Sequence, residues 1–505
     1  LVNCHLYSCG NQLWKGIEVN VLPATYIGGL IVWSSTIKDA LYGVESYMGD
    51  LTGHDFISKN CFIGCLNRAG IGTPQVRGSM KFYGTGKDNL KSGYMGIGND
   101  FYKPTHDSVF KYSTKSYCGL EYNNVTSAGS KDYYKFYDLS NGVIFNDVAT
   151  GWVSESYFEN MRYDMNLFGK NIANSGFGAL NTGVAIQMNN SNSIGGNLYV
   201  GGVDSTETMI KNAHIGVAGV QRANVHINNM RMDDIQSIGA YAVISSLNVS
   251  NSAIYAPNTD GWGLYQHLIM TPVSGNSISC DIQNNYIETN SVGIGIYSGA
   301  TLSPMGGIIK NNTIKFDTLG KWGIDMVEVN EIAVDSNIVD ADMTNGRVIR
   351  TGVNYEHCKN VQENANNVFS KTGNRLKSWN GSPLLPAGFY YYFTEHISKC
   401  NQVDQFKMGV RYTGICTNSD LIGTSINNHD IGIKLDTNAT LKNQVNNGNS
   451  FQGTCNYEVK TTQPFTNQTR FYINQFAPTH FVPNPVSPNA GVVSFNTLPD
   501  NTDCN

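Results

Sequence analysis

Charge is scarce in this chain. Only 14% of its 505 residues are charged, and 34 Lys and Arg against 39 Asp and Glu leave a net charge of −5. Nucleic-acid backbones are held by clustered Lys and Arg. No such cluster is present, which argues against nucleic acid as a partner. No apolar run approaches the roughly 18–20 residues of a membrane span, so no membrane span is expected. The opening LVNCHLYSCG lacks the basic start and apolar core of a secretion signal. C-x-x-C pairs are missing among the eleven cysteines, and the ten histidines show no H-E-x-x-H spacing. That removes the usual zinc and thioredoxin motifs. Eleven is odd, so at least one thiol is unpaired within the chain. Cys61 and Cys65 on one strand would lie about 13 Å apart, too far to bridge, and buried thiols are expected rather than a disulfide framework.

What is abundant is glycine, with 53 residues, and asparagine; aromatics at 11% supply a core. Asparagine recurs in a corner phrase: NNYI at Asn284–Ile287, NNTI at Asn311–Ile314, DSNI at Asp335–Ile338, NNVF at Asn366–Phe369, TSIN at Thr424–Asn427 and NGNSF at Asn447–Phe451. A second phrase interleaves, glycine followed by alternating apolar residues: GIGIY at Gly293, WGIDM at Trp322, GRVIR at Gly346, GVRY at Gly409, IGIKL at Ile431. WKGIEV, LYGVES and FIGCL repeat it near the start. Like phrases recur irregularly, mostly in the twenties of residues, with no helical 3.6-residue pattern between them. Such short strands cannot be buried singly; coiled on one another they bury a shared face and pair above and below. Asparagine tolerates the left-handed corner and can bond the asparagine beneath it, and glycine supplies further positive-φ turns. The repeat therefore predicts an all-β chain, a right-handed parallel β-helix over residues 1–460 with about 25 residues per coil. Hairpin turns are too few for the alternative, a string of antiparallel sandwiches. The rhythm breaks at about 69–140, read as loop-rich, and at about 371–395. Residues 461–505, with FAPTHFVPNPVSP, read as an extended tail or a linker to a further domain. The first residues already read as the middle of a repeat, so a mature or excised piece of a longer protein is expected.

LWKGIEV with IKDALYGVES and FISKNCFIGCL, and DIGIKL…NGNSF with its exit into FVPNPVSPNAG, resemble pectate-lyase-like parallel β-helix segments of large secreted surface proteins of Bacteroidetes-type bacteria. The resemblance covers roughly residues 1–70 and 280–500, and more loosely 140–280; its motifs are architectural. Those proteins commonly leave by type IX secretion, which reads a C-terminal sorting domain that this chain does not show. The resemblance implies an extracellular or cell-surface module, structural or adhesin-like. Its implied partners are other domains of the parent protein, cell-surface glycans and the secretion machinery.

The same scaffold carries polysaccharide lyases, glycosidases and phage tail-spikes, the last expected to trimerise, so chemistry must be sought in sites. Polygalacturonase-like hydrolases carry Asn-Thr-Asp, then Asp-Asp, then Gly-His-Gly and Arg-x-Lys. Here NTDG at Asn258–Gly261 follows Asp233–Asp234, and the last two motifs are missing, so NTDG reads as a turn. Lyase chemistry needs carboxylates around Ca²⁺ and a nearby base; only under that alternative is a cofactor, Ca²⁺, implied. Its candidates are Arg231, Asp233 and Asp234 in RMDDIQ, with Asp260 and His267; an exposed salt-linked strand explains the first three as well. GTGKDN at Gly84 lacks the spacing of a phosphate loop, and GIGND at Gly96 does not repeat as calcium-binding nonapeptides do. Aromatics that stack on sugar rings are the better prospect: Trp262 and Tyr265, and Tyr390 and Tyr392 from the outward half of Phe389–Phe393. By alternation Phe389, Tyr391 and Phe393 point one way and Tyr390 and Tyr392 the other, and one face must be core, so at most half are available; Trp14, Trp33, Trp152 and Trp322 are expected in the core. The favoured expectation is a non-enzymatic extracellular module that presents loops for adhesion.

Overall fold

A computed structural model describes residues 1–9, 14–20, 31–40, 43–47, 56–58, 61–63, 67–68, 76–77, 80–83, 100–102, 118–123, 127–130, 134–139, 141–161, 183–190, 195–202, 208–258, 260–268, 278–298, 306–317, 320–342, 349–370, 386–436, 439–442, 444, 449–453, 455–461, 469–473 and 493–497. The described residues contain no helix. The chain divides into two compact units, Leu1–Ala253 and Ile254–Asn505, and each is built of coils carrying three strands. Each is a right-handed parallel β-helix.

One coil of the second unit shows how the sequence makes the fold. Strand Cys280–Gln283 leads to the corner Asn284–Asn285, then to strand Tyr286–Thr289 and, after another bend, to strand Val292–Ser298. The chain then returns to Gly307–Lys310, which lies parallel to Cys280–Gln283 in register. We call the three stacks of equivalent strands sheet I (as Tyr286–Thr289), sheet II (as Val292–Ser298) and sheet III (as Cys280–Gln283). In the first unit sheet II includes Cys118–Asn123, Asn141–Asn146, Val184–Asn189, Ile215–Val220 and Ile238–Val243, each parallel to the next. Sheet II of the second unit includes Trp262–Leu268, Val292–Ser298, Trp322–Val327, Thr351–Glu356, Ala387–Tyr392, Met408–Thr413 and Ile431–Leu435. Among the described pairings only Asn67–Arg68 with Val76–Arg77 is antiparallel.

The corner phrase has two physical jobs. Its first residue is left-handed: φ is 57° at Asn284, 54° at Asn311, 54° at Ser336 and 54° at Cys400, where asparagine is tolerated best. Its second residue is buried. Asn285, Asn312, Asn337, Asn366 and Asn401 are at most 3% exposed and form a ladder. Each amide donates to the Oδ1 of the next, at 2.9, 2.9, 2.9 and 3.1 Å in order. The same Oδ1 also accepts the backbone N–H of the asparagine below, and Nδ2 reaches back to carbonyls such as Ile309 and Val334. Buried polar groups are thus satisfied from coil to coil.

Glycine does something different from the turns predicted for it. Some, such as Gly414 and Gly453, are indeed left-handed. The glycines of the repeating phrase instead stand second in the strands of sheet II, where a sheet I side chain fills the space a Cβ would need. A Cβ on Gly293 would meet Ile314 at 2.5 Å, one on Gly323 Val339 at 2.7 Å and one on Gly352 Val368 at 2.2 Å. Ile314, Val339 and Val368 are fully buried, so the glycine lets two sheets close on one core.

Several expectations need correction. Within 69–140, strand Met80–Tyr83 joins Val44–Tyr47 to Cys118–Asn123, and Asp100–Tyr102 joins Cys61–Ile63 to Lys135–Tyr137. The described part of that stretch therefore continues the coils. Within 371–395, Ala387–Tyr392 is a regular strand. In the tail, Thr469–Ile473 and Val493–Thr497 pair in parallel; FAPTHFVPNPVSP and GTGKDN lie outside the described residues. The four tryptophans assigned to the core are not buried: Trp33 is 43% exposed, and Trp14, Trp152 and Trp322 are half-buried. Their strand positions face outward or sit at an edge. Phe393 leaves the alternation, with φ of 46° and 39% exposure, because the strand ends before it. Cys118, Cys280, Cys358 and Cys416 are buried free thiols, whereas Cys400 is disulfide-bonded.

Candidate functional site

Alternation fixes which side chains of sheet II face out. In the second unit, Leu264, Ile294, Ile324, Val353, Phe389, Val410 and Ile433 share one register row and fill the core. The adjacent outward row is Tyr265, Gly295, Asp325, Asn354, Tyr390, Arg411 and Lys434. Two residues further on, the next outward row begins His267, Tyr297, Val327, Glu356, Tyr392 and Thr413. The face so formed is chemically rich.

At one end lies an aromatic cluster. The Trp262 and Tyr265 rings meet edge to face at 4.8 Å, and Tyr297 lies 5.9 Å from Trp262 and 5.4 Å from Tyr265. Gly295 makes room for them, since a Cβ there would meet the Trp262 ring at 2.7 Å. Tyr265 is only 7% exposed, whereas Trp262 and Tyr297 are half-exposed. His267 joins the edge of this cluster, and burial lowers its pKa.

The middle is a carboxyl held by polar neighbours. The Tyr297 hydroxyl hydrogen-bonds Asp325 Oδ2, and Asn354 Nδ2 donates to Asp325 Oδ1 at 2.6 Å. Asp325 is 3% exposed, and burial raises its pKa although both neighbours favour the anion. Burial, and then the Asp325 charge, push the Tyr297 hydroxyl well up. Glu356, half-exposed, makes no side-chain hydrogen bond or ion pair among the described residues. Trp322 carries the Arg350 guanidinium 5.3 Å above its ring.

The far end is basic but internally neutralised. Arg411 Nε lies 2.6 Å and Lys434 Nζ 2.9 Å from Asp436, which also accepts from Thr413 Oγ1 at 2.8 Å. Burial alone would raise the Asp436 pKa; the Arg411 and Lys434 charges and hydrogen bonds outweigh it and hold the carboxyl below its usual range. Arg411 also lies 4.9 Å over the Tyr390 ring, and Tyr390 sits beside Tyr392 at 6.5 Å.

The remaining sequence candidates lie elsewhere. Arg231 and Asp233 share strand Met230–Asp233 in the first unit and close on each other at 2.9 Å, while Asp234 is an exposed corner with φ of 53°. Asp260 is exposed in a turn closed by the Gly261 N–H to the Asn258 carbonyl at 2.8 Å. Among the described residues no group of three His, Cys, Asp or Glu side chains could hold a metal ion. Tyr297, Trp322, Asp325, Asn354 and Glu356 were missed by sequence reasoning. For all but Trp322 the signal was present: the second and fourth residues after Gly293, Gly323 and Gly352 face outward.

Fold and face together define a parallel β-helix with an aromatic and acidic outer strip. No family model and no curated protein matches the chain. Solved structures to which the chain is similar include three. The alginate lyase AlyF-OU02 in complex with G6 has a TM-score of 0.30 at 8% identity, over 99% of this chain and 98% of that one. A PL6 alginate lyase in complex with a trisaccharide has 0.29 at 9% identity, over 97% and 95%. A mutant tailspike protein of E. coli bacteriophage HK620 has 0.22 at 10% identity, over 87% and 71%.

Proposed function

We propose that the chain is an extracellular β-helix module that binds a glycan along the outer face of sheet II in its second unit. One observation carries this reading: half-exposed Trp262, Tyr297 and Trp322 stand on three successive coils and Tyr390 two coils further on, with hydrogen-bonding groups set between them. Trp262 and Trp322 are two strands apart in one register row, hence about 10 Å apart. That is on the order of two sugar rings in an extended chain, so successive sugars can meet successive coils. Aromatic faces take the apolar face of a pyranose, and the surrounding amides and carboxyls take its hydroxyls.

The adhesive role belongs to the same reading, with other domains of a parent protein and a glycan-bearing surface as partners. By contrast, the aromatic ladder of Tyr199 and His226 in the first unit is stacked at 4.7 Å and 15°. Those rings cover each other's faces and present edges, which suits packing rather than sugar stacking.

The test is retention of the protein in native gels that contain neutral or acidic polysaccharides. Retention on at least one polymer, weakened ~5–10-fold by Trp262→Ala or Tyr390→Ala, is the expected result for the loss of one stacked ring. Equal retention of wild type and both variants on every polymer would remove the reading.

A further inference from the structure

Asp325 and Glu356 occupy contrasting places on one face. Asp325 is enclosed by Tyr297 and Tyr265 on one side and by Asn354 and Glu356 on the other, with Arg350 nearby. Glu356 lies one strand over and two residues along, opposite Val327. Strand spacing and rise put their Cα atoms about 8 Å apart. Both side chains rise from the same outer face, and an acid and a base on one face with room for a water molecule is the arrangement an inverting glycosidase uses. Through its hydroxyl, half-exposed Tyr297 links the enclosed carboxyl to the surface of the strip, and the Tyr297 ring lies 5.9 Å from that of Trp262.

We propose that this face also hydrolyses the glycan it binds, with Asp325 supplying a proton through the Tyr297 hydroxyl and Glu356 activating water. The inference rests on the glycan-binding reading. In the step, Tyr297 gives its hydroxyl proton to the glycosidic oxygen as it takes the Asp325 proton. The bond from the anomeric carbon to that oxygen breaks. Water adds to the anomeric carbon from the opposite face and loses its proton to Glu356. Asp325 is left as a carboxylate accepting hydrogen bonds from Asn354 and Tyr297, the contacts seen in the structure. Solvent then returns the proton from Glu356 to Asp325. Attack by water from the face opposite the leaving oxygen makes this an inverting hydrolysis.

The experiment incubates the protein with each polysaccharide that retains it and follows new reducing ends. Turnover is expected in the wild type, lowered at least ~100-fold by Glu356→Gln and by Asp325→Asn, as for loss of a general acid or base. Both variants should still unfold cooperatively, and turnover is compared at saturating polysaccharide so that weaker retention is not read as lost chemistry. Tyr297→Phe should lower turnover similarly, and Asp325→Asn should erase the alkaline limb of the pH profile, which a purely structural role would leave in place. Retention without new reducing ends overturns hydrolysis and leaves binding standing. Turnover that survives both carboxyl substitutions, or appears only as unsaturated product, also overturns it. Failure of the wild type to be retained by any polymer removes both readings.

Discussion

Asn312 donates its side-chain amide to Asn337 Oδ1 at 2.9 Å, and both side chains are fully buried. That bond joins two coils through the core rather than through the sheets. Replacing Asn337 by Ala leaves the backbone N–H of Asn312, one of its two amide N–H groups and the carbonyl of Ile309 without their Asn337 partner, while the Asn312 amide keeps its bond to the Ile282 carbonyl. A loss of ~2–4 kcal/mol is expected for several buried groups left unpaired, measured by chemical denaturation. At the neighbouring corner, Asn311→Gly should be nearly neutral because φ is 54°, whereas Asn311→Ala should cost about 1–2 kcal/mol. If Asn337→Ala proves as mild as Asn311→Gly, the ladder is decorative.

Gly323 tests the closure of two sheets. A Cβ there would meet the Gly352 carbonyl oxygen at 2.4 Å and Val339 at 2.7 Å. Gly323→Ala should destabilise by about 1–3 kcal/mol through overpacking. Combining it with Val339→Ala should recover part of that loss, detectable as non-additivity in a double-mutant cycle. Additive losses would count against this account.

A pH dependence follows from the end of the ladder. Asn401 donates to Glu363 Oε2 at 3.2 Å and Tyr391 does so at 2.7 Å. Burial raises the Glu363 pKa from 4.5 to about 7 and lowers that of His396 from 6.5 to about 3. The folded state binds the Glu363 proton more tightly, so its contribution is present below pH ~4.5 and lost as pH rises through ~7. For His396 the unfolded state holds the proton more tightly, so stability falls as pH drops from ~6.5 toward ~3. The two slopes oppose each other in between. Glu363→Gln should therefore abolish the net loss as pH rises from ~6.5 through ~7, and His396→Phe should flatten the acid limb. Thermal midpoints from pH ~3 to ~8 measure both, and an unchanged profile in Glu363→Gln would contradict the assignment.

Thiol labelling gives an independent check on the core. Cys9 is exposed, whereas Cys118, Cys280, Cys358 and Cys416 are buried. Burial raises the Cys358 and Cys416 pKa values to about 12 and 11. Cys9 should react in the native protein at neutral pH, and the four buried thiols only on unfolding. Rapid native labelling of Cys280 or Cys358 would show that the coils open locally.

The sequence by itself determined the parallel β-helix. Asparagine corners such as Asn284–Asn285 and glycine-led strands such as Val292–Ser298 recur because left-handed turns and close sheet contacts leave few residues that fit. It also placed Tyr390 and Tyr392 outward, because alternation is a property of one strand. What it did not reveal was the strip of Tyr297, Asp325 and Asn354, whose members are contiguous only across coils of unequal length. Val292 and Trp322 share a register row, yet one is buried and the other half-exposed. Burial there depends on the neighbouring coils and on side-chain size, so only the tertiary structure decided it. The site is a product of register, and register between coils is set by the packing of all three sheets together.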